Sequence, residues 1–523
     1  MYMKLNLKAL ENKALWQEKG YALPEYDVKA ITENTKNAPK WIHFGAGNIF
    51  RAFLGGVQQR LLNAGETDTG IVVFEGFDPE IIEKAYRPFD NLSVGVTLIS
   101  TGSIKKEVLG SVVESLTIEN DARAIEIFEN PSLMMASFTI TEKGYAPAFA
   151  EKDANGAPED AKGLMGYLTK LVYKRYLKNA QPIALVSMDN CSHNGEKLEN
   201  VVKMVAQKWI DNGHVDAGFM TYLNEKVSFP WSMIDKITPR PDENVMNILD
   251  KDGFEDAGLI VTSKNTYTSA FVNAEEKEYL VIEDNFPNGK LPLDKAGVYY
   301  ASRETVERVE RMKVTTCLNP LHTCLAIFGC LLNFKTIWQE MNDSDLKALV
   351  NRIGYVEGMP VVTDPGIMKP ETFLGEVLND RLPNCFLPDT PQRIATDTSQ
   401  KLSIRFGETI KEYLEKGMDI SALKGIALVE AGWIRYLLGI DDDGNEMAIS
   451  PDPRLNEMKE RLAGVRFGNN EGVNEKLLPI LEDETIFGVS LVKAGLADKV
   501  IENFKKMNAG AGEVRRAIHE VIA

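Results

Sequence analysis

The stretch Lys313-Val-Thr-Thr-Cys-Leu-Asn319-Pro-Leu-His322 puts an ammonium, a carboxamide and an imidazole within ten residues, ahead of the apolar run Cys324–Leu332. These groups can move a proton and hold an oxyanion at one carbon. Far upstream, Phe44-Gly45-Ala46-Gly47-Asn48-Ile49-Phe50-Arg51 is a glycine-rich turn of the kind that receives a pyrophosphate. Together the two features imply hydride transfer between a nicotinamide and a sugar-like alcohol or ketone.

Reducing a ketone needs an acid to protonate the developing alkoxide and donors to stabilise it. Lys313 can be that acid, and its neutral amine the base in reverse, provided burial or a nearby cation lowers its pKa. Asn190 and Asn319 can supply amide N–H donors. His322 can hydrogen-bond a neighbouring hydroxyl or tune the lysine. Asn319 and His322 are three apart, so on a helix they share one face. The bland alternative is a capped helix N-terminus with a core histidine. Zinc competes for the segment, because Cys317, His322 and Cys324 lie close together, but the spacing matches no pair of ligand clusters. Cysteines in an apolar helix ordinarily serve packing. Ser187 and His193 form no nucleophile elbow, since GxSxG is absent.

The elements around the upstream turn read as β-α-β. Trp41–Phe44 is a short strand, Arg51–Asn63 has helical periodicity through Phe53, Leu54, Val57, Leu61 and Leu62, and Gly70–Phe77 is a second buried strand. Gly45 permits the tight turn and Gly47 lets a pyrophosphate approach the backbone. Phe50 stands where a third glycine is usual. Arg51 can neutralise phosphate or pair with a surface carboxylate, and the whole turn can also exist without a ligand. The second strand ends in Glu75-Gly-Phe-Asp78, and an acid there accepts from ribose hydroxyls and repels a 2′-phosphate. No cation follows until Lys84, so NAD is expected rather than NADP; one of the two acids can be an ordinary turn residue.

Residues 91–118 read as a β insertion or hairpin, Leu133–Thr141 and Ile183–Met188 as buried strands, and Phe271–Ile282 as further strand. From Lys295 onward the sequence is mostly helical periods. The expected organisation is an N-terminal extension (1–38), a Rossmann-type α/β dinucleotide-binding domain with a β insertion (39–294), and a mainly α-helical substrate-binding domain (295–523).

The chain has 523 residues, too many for one ordinary domain, with 44% apolar and 26% charged residues. A net charge of −17 argues against nucleic acid or an anionic membrane as partner. The five cysteines, Cys191, Cys317, Cys324, Cys330 and Cys385, follow no regular spacing and read as reduced thiols. The N-terminus has no apolar leader region and the longest uncharged apolar stretch, around Cys324–Phe334, is short of a membrane span. A cytoplasmic protein is expected.

Several ordered motifs now agree: FGAGNIFRAF (44–53), TEKGY (141–145), SMDNCSHNG (187–195), FPWSMIDKITP (229–239), VIEDNF (281–286), the Lys313–His322 segment and DTPQRIATDTSQK (389–401). The chain resembles the long-chain polyol dehydrogenase (mannitol dehydrogenase) family, which includes mannitol 2-dehydrogenases, fructuronate reductases and tagaturonate reductases. That resemblance implies a zinc-independent, NAD-dependent enzyme with substrate in a cleft between a dinucleotide-binding and a helical domain. It implies Lys313 as general acid/base, Asn190 and Asn319 as oxyanion donors, and His322, Asp235, Arg393 and Lys401 as substrate contacts. Arg240 is a further candidate cation for a substrate carboxylate. Thr141, Glu142 and Lys143 would line the cofactor side. The family pattern leaves four residues between the lysine and the asparagine; here there are five, Val314 to Leu318, and Pro320 follows the asparagine. The CLNPLH variant resembles the fructuronate reductases, implying reversible reduction of D-fructuronate to D-mannonate. Tagaturonate or fructose/mannitol chemistry is the alternative, a non-catalytic NAD-sensing protein a remote one. The expected partner is a small ketouronate or polyol, with the protein a monomer or small homo-oligomer.

Overall fold

The structure is a computed structural model that describes residues 2–523. The chain divides into two units: residues up to Ile99 with Ser103–Glu307, and Ser100–Gly102 with Arg308–Ala523.

The first unit is built on six strands, β1 (Trp41–Phe44), β2 (Ile71–Glu75), β3 (Val112–Thr117), β4 (Met135–Phe138), β5 (Ile183–Ser187) and β6 (Val227–Ser228), in the spatial order β3-β2-β1-β4-β5-β6. Every pairing is parallel. Strands β1, β2, β4 and β5 are buried along their whole length. Helices cover both faces, which is why these strands read as unbroken apolar runs. One face packs Leu168, Leu171 and Val172 of α2 (Leu164–Asn179) and Leu198, Val201 and Val205 of α3 (Asn194–Asp211). The other packs Val57 and Leu61 of α1 (Gly55–Asn63). The strand order reverses between β1 and β4, and in such sheets ligands bind beyond the carboxyl ends at that reversal.

Two expected elements divide differently. Within 91–118, Ser93–Leu98 and Ile104–Leu109 do form an antiparallel hairpin, but Val112–Thr117 turns away after Gly110 to become β3 of the main sheet. The hairpin belongs to a separate four-stranded sheet with Tyr21–Ala22 and Phe271–Glu275 at its edges. The N-terminal segment is therefore integral to this unit, with Leu5, Trp16 and Tyr21 buried. Phe271–Ile282 is two strands, because the charged Glu276-Lys277-Glu278 interrupts it; Tyr279–Glu283 joins a three-stranded sheet with Ser232–Asp235 and Tyr299–Ala301.

The regular structure of the second unit is helical, with strand pairing among the described residues limited to isolated bridges such as Ile440 with Glu446. Helix α4 (Arg303–Met312) crosses the division at Glu307, continues as a π turn (Lys313–Cys317) and gives way to α5 (Asn319–Leu331). The stretch Arg303–Leu331 has the length and hydropathy of a membrane span, yet 83% of its most apolar window is buried inside the protein. Helix α6 (Lys424–Tyr436) packs on α5 where Gly432 meets Phe328; a Cβ there would stand 2.8 Å from the ring. Its first turn is capped by the buried Glu357, which accepts from the Gly425 N–H at 2.7 Å and the Ile426 N–H at 2.9 Å.

Candidate functional site

The turn after β1 is shaped by its glycines. Gly45 has φ 109°, and a Cβ on it would lie 2.3 Å from the Thr139 carbonyl oxygen, so only glycine lets the chain leave β1 past the end of β4. A Cβ on Gly47 would meet nothing within 4 Å, which leaves its backbone open to approach. The following helix opens with a π turn, Phe50–Leu54, before α1.

Phe50 and Arg51 turn inward. Phe50 is fully buried and stacks on His43 at 4.2 Å between centroids. Burial pushes His43 down to about 3, so its neutral ring sits between the Ser137 and Thr139 hydroxyls. Arg51 is 1% exposed. It donates to the Ser269 carbonyl at 2.8 Å, the Thr268 hydroxyl at 3.0 Å and the Phe271 carbonyl at 3.2 Å. Its guanidinium fastens the 268–271 segment to the helix start. Asn48 supports the same junction by donating to the Tyr267 carbonyl at 3.3 Å.

The two acids after β2 are both buried, and they differ in what they have left to offer. Glu75 accepts from the N–H groups of Ala46 at 2.8 Å, Phe77 at 2.8 Å and Asp78 at 2.9 Å, so its carboxylate shapes the glycine turn. Asp78 Oδ2 accepts from the Thr262 and Thr266 hydroxyls, each at 2.6 Å, while Oδ1 has no partner. A cation absent from the local sequence also arrives here: Lys264 donates to the Phe77 carbonyl and lies 4.2 Å from the Phe77 ring centroid.

The segments after β4 and β5 are locked together by Asp189. Its carboxylate accepts from the Ile140 N–H at 3.0 Å, the Thr141 N–H at 2.7 Å and the Tyr145 hydroxyl at 2.5 Å. That clamp holds Thr141 at φ 67°, a conformation β-branched residues rarely adopt. Glu142 pairs with Lys197 at 2.6 Å, and Lys143 is exposed. Asn190 follows directly and is exposed. Asn194 staples this corner to the next strand, donating to the Asp189 carbonyl at 3.0 Å and the Ser232 carbonyl at 2.9 Å and accepting from the Ser232 N–H at 3.0 Å. Asp235 is buried at the far end of that strand. Arg240 is exposed and stacks on the Tyr267 ring at 4.0 Å. Asp189 and Asn194 lay in a legible motif, but only tertiary contact reveals them as its fasteners.

The second unit carries Lys313, Asn319 and His322. Lys313 is 4% exposed at the start of the π turn. Asn319 opens α5, half-exposed, with its side-chain amide unpartnered among the described residues. One turn on, His322 Nε2 makes no hydrogen bond and lies 3.5 Å from Asp389 Oδ2. Burial holds the imidazole down at about 4; Asp389 opposes this, and Arg405, Arg393 and Arg381 reinforce it. Arg393 is 62% exposed and paired with Asp389, while Lys401 donates to the Ile394 and Thr396 carbonyls. Cys317 and Cys324 are buried, and no group of three potential ligands among the described residues is placed to hold a metal. Arg405 and Thr323, which complete this cluster, were invisible as a pair because 82 residues separate them.

Comparison with known proteins agrees with this construction. Residues 39–295 match the Mannitol dehydrogenase Rossmann domain and residues 305–508 the Mannitol dehydrogenase C-terminal domain. The chain is 50% identical, over 99% of both proteins, to the D-mannonate oxidoreductase of Thermotoga maritima. It is 27% identical to the D-mannonate oxidoreductase of Escherichia coli, covering 80% of this chain and 84% of that one. The solved mannitol 2-dehydrogenase of Pseudomonas fluorescens, a ternary complex with NAD and D-mannitol, shares the fold with a TM-score of 0.70, 22% identity and 99% coverage of each chain. The sheet order, the helical second unit and the two family domains together establish that this chain belongs to the mannitol dehydrogenase family of oxidoreductases.

Proposed function

We propose that the protein catalyses the reversible reduction of D-fructuronate to D-mannonate with NADH, in the cytoplasm. The observation that supports this most is its 50% identity, over nearly the full length, to a D-mannonate oxidoreductase. NAD is the cofactor, and in its reduced form it supplies the hydride taken up by the C5 ketone carbon. Gly45, Gly47 and Asn48 receive the pyrophosphate. An acid after β2, Glu75 or Asp78, is the acceptor for the ribose hydroxyls, and Glu75 also shapes the turn beneath. Thr141, Glu142 and Lys143 border the nicotinamide side.

Lys313 delivers a proton to the developing alkoxide, and in reverse its neutral amine removes the alcohol proton. Asn319, whose amide has no partner among the described residues, donates to that oxygen, and the family resemblance gives Asn190 the role of oxyanion donor as well. His322, held neutral, exchanges a hydrogen bond with a neighbouring hydroxyl. Asp235, Arg240, Arg393 and Lys401 contact the rest of the polyhydroxy chain.

The test is the initial rate of NADH oxidation with D-fructuronate, D-tagaturonate and D-fructose in parallel. The proposal expects kcat/KM for D-fructuronate to exceed the others by about a hundredfold, the scale on which unpaired polar groups separate close analogues. A preference for D-tagaturonate or D-fructose would replace it with tagaturonate reduction or polyol oxidation. NADH binding without turnover on any of the three would point to a sensor.

A further inference from the structure

We propose that Arg405 is the anchor for the substrate carboxylate and the residue that makes this site prefer a sugar acid to a neutral sugar. This rests on the reading of the reaction given above and names the cation that reading needs.

Three cations, Arg381, Arg393 and Arg405, act on His322 in the second unit, and a fourth, Lys401, lies near Arg393 and Arg405. Three of the four are already engaged. Arg393 is paired with Asp389, Lys401 is held by two backbone carbonyls, and Arg381 is buried with partners of its own. Arg405 differs from them. Its guanidinium is part-buried, forms no ion pair among the described residues, and donates only to the Thr323 hydroxyl. A part-buried guanidinium with open donors and like-charged neighbours is a receptor for a carboxylate, which it can grip with two parallel hydrogen bonds. Burial lowers the Arg405 pKa to about 10, the electrostatic strain that a bound anion would relieve.

The position is fixed from both sides. Arg405 lies in a π turn, Ser403–Gly407, that is pressed against the Phe487 backbone; a Cβ on Gly407 would stand 2.1 Å from the Phe487 carbonyl oxygen. On the other side, the Thr323 hydroxyl that receives Arg405 donates in turn to the Asn319 carbonyl at 3.0 Å. Arg405 is thereby referenced to the residue that opens α5. Asn319 and Arg405 are therefore tied to the same turn of α5 through the Thr323 hydroxyl.

The experiment compares wild type, Arg405→Met and Arg405→Lys, each confirmed folded by thermal melt. Arg405→Met is expected to lower kcat/KM for D-fructuronate roughly 10- to 100-fold more than for D-fructose, chiefly through KM, the worth of a charge-assisted hydrogen-bond pair. Arg405→Lys should recover part of the difference. Equal loss on both substrates would assign Arg405 to tethering Thr323 and overturn the proposal, as would no loss. A second arm does not depend on turnover: calorimetric titration of the NAD-loaded protein with D-mannonate and with D-mannitol. Tighter binding of the acid, abolished by Arg405→Met, supports the anchor even if the wild type fails to reduce D-fructuronate. Equal binding of acid and polyol by the wild type overturns it.

Discussion

The Leu318 N–H donates to the Lys313 carbonyl at 3.1 Å, across five residues, so Lys313 and Asn319 are separated by one π turn. A π turn holds one residue more than an α turn. The five residues between Lys313 and Asn319, where the family pattern has four, are therefore absorbed within a single turn. Pro320 also becomes intelligible: it sits in the first turn of α5, where its missing N–H would have had no partner.

Removing the extra residue should accordingly be tolerated. Deleting Val314, the half-buried member of the turn, should give a folded protein with measurable turnover, because the π turn can close as an α turn. Deleting Ala326, inside the regular α5 where it is buried from Thr323 onward, should abolish folding by rotating every later core residue about 100°. Thermal melts and kcat for both deletions check this. Loss of fold on deleting Val314 would show that the wide turn is required in itself.

Replacing Lys313 with alanine should remove the proton donor and leave the dinucleotide turn intact. The expected outcome is a fall in kcat of about a thousandfold, within the range for general acid catalysis, with the NADH dissociation constant nearly unchanged. Single-turnover rates and fluorescence titration with NADH measure the two separately. Near wild-type turnover would remove Lys313 from the acid/base role.

Arg51→Ala distinguishes the role seen in the structure from the phosphate role its position in the glycine motif implied. Four oxygens, on Ser269, Thr268, Phe271 and Asn48, would lose this donor. A loss of about 3 kcal/mol in unfolding free energy is expected by urea titration, the cost typical of breaking a buried charged network. A phosphate ligand would instead weaken NADH binding sharply with stability preserved.

How much of this was legible depended on sequence separation. Trp41–Phe44, Gly45, Gly47 and Ile71–Glu75 announced the first half of the sheet because strand, turn and helix signals are local. Val112–Thr117 was misplaced because Gly110 is one short break between two equally strand-like runs, and only pairing with β2 assigns the second to the main sheet. Glu75 and Asp78 looked interchangeable in sequence; hydrogen bonds to Ala46 on one side and Thr262 on the other separate them. The N-terminal segment read as an appendage because its strand is two residues long and is defined by a partner some eighty residues away. The contacts of Arg51 were hidden for the same reason, since its acceptors lie more than two hundred residues downstream.

The buried face of α6 makes a prediction about pH. Glu430 is fully buried, both carboxyl oxygens lack partners, and Trp433 Nε1 one turn on is likewise unpartnered. Burial holds the Glu430 carboxyl well above its ordinary value, so the folded protein keeps this proton where the unfolded chain has lost it. Between about pH 4.3, the value in an unfolded chain, and the raised folded value, the unfolded state binds fewer protons. Over that window stability falls as pH rises, by about 1.4 kcal/mol per pH unit for this one group. Glu430→Gln removes the titration. Urea melts of wild type and variant from about pH 5 to 8 should therefore show the difference in stability moving steadily in the variant's favour as pH rises. A constant difference would mean that the carboxyl titrates in the fold as it does in the unfolded chain.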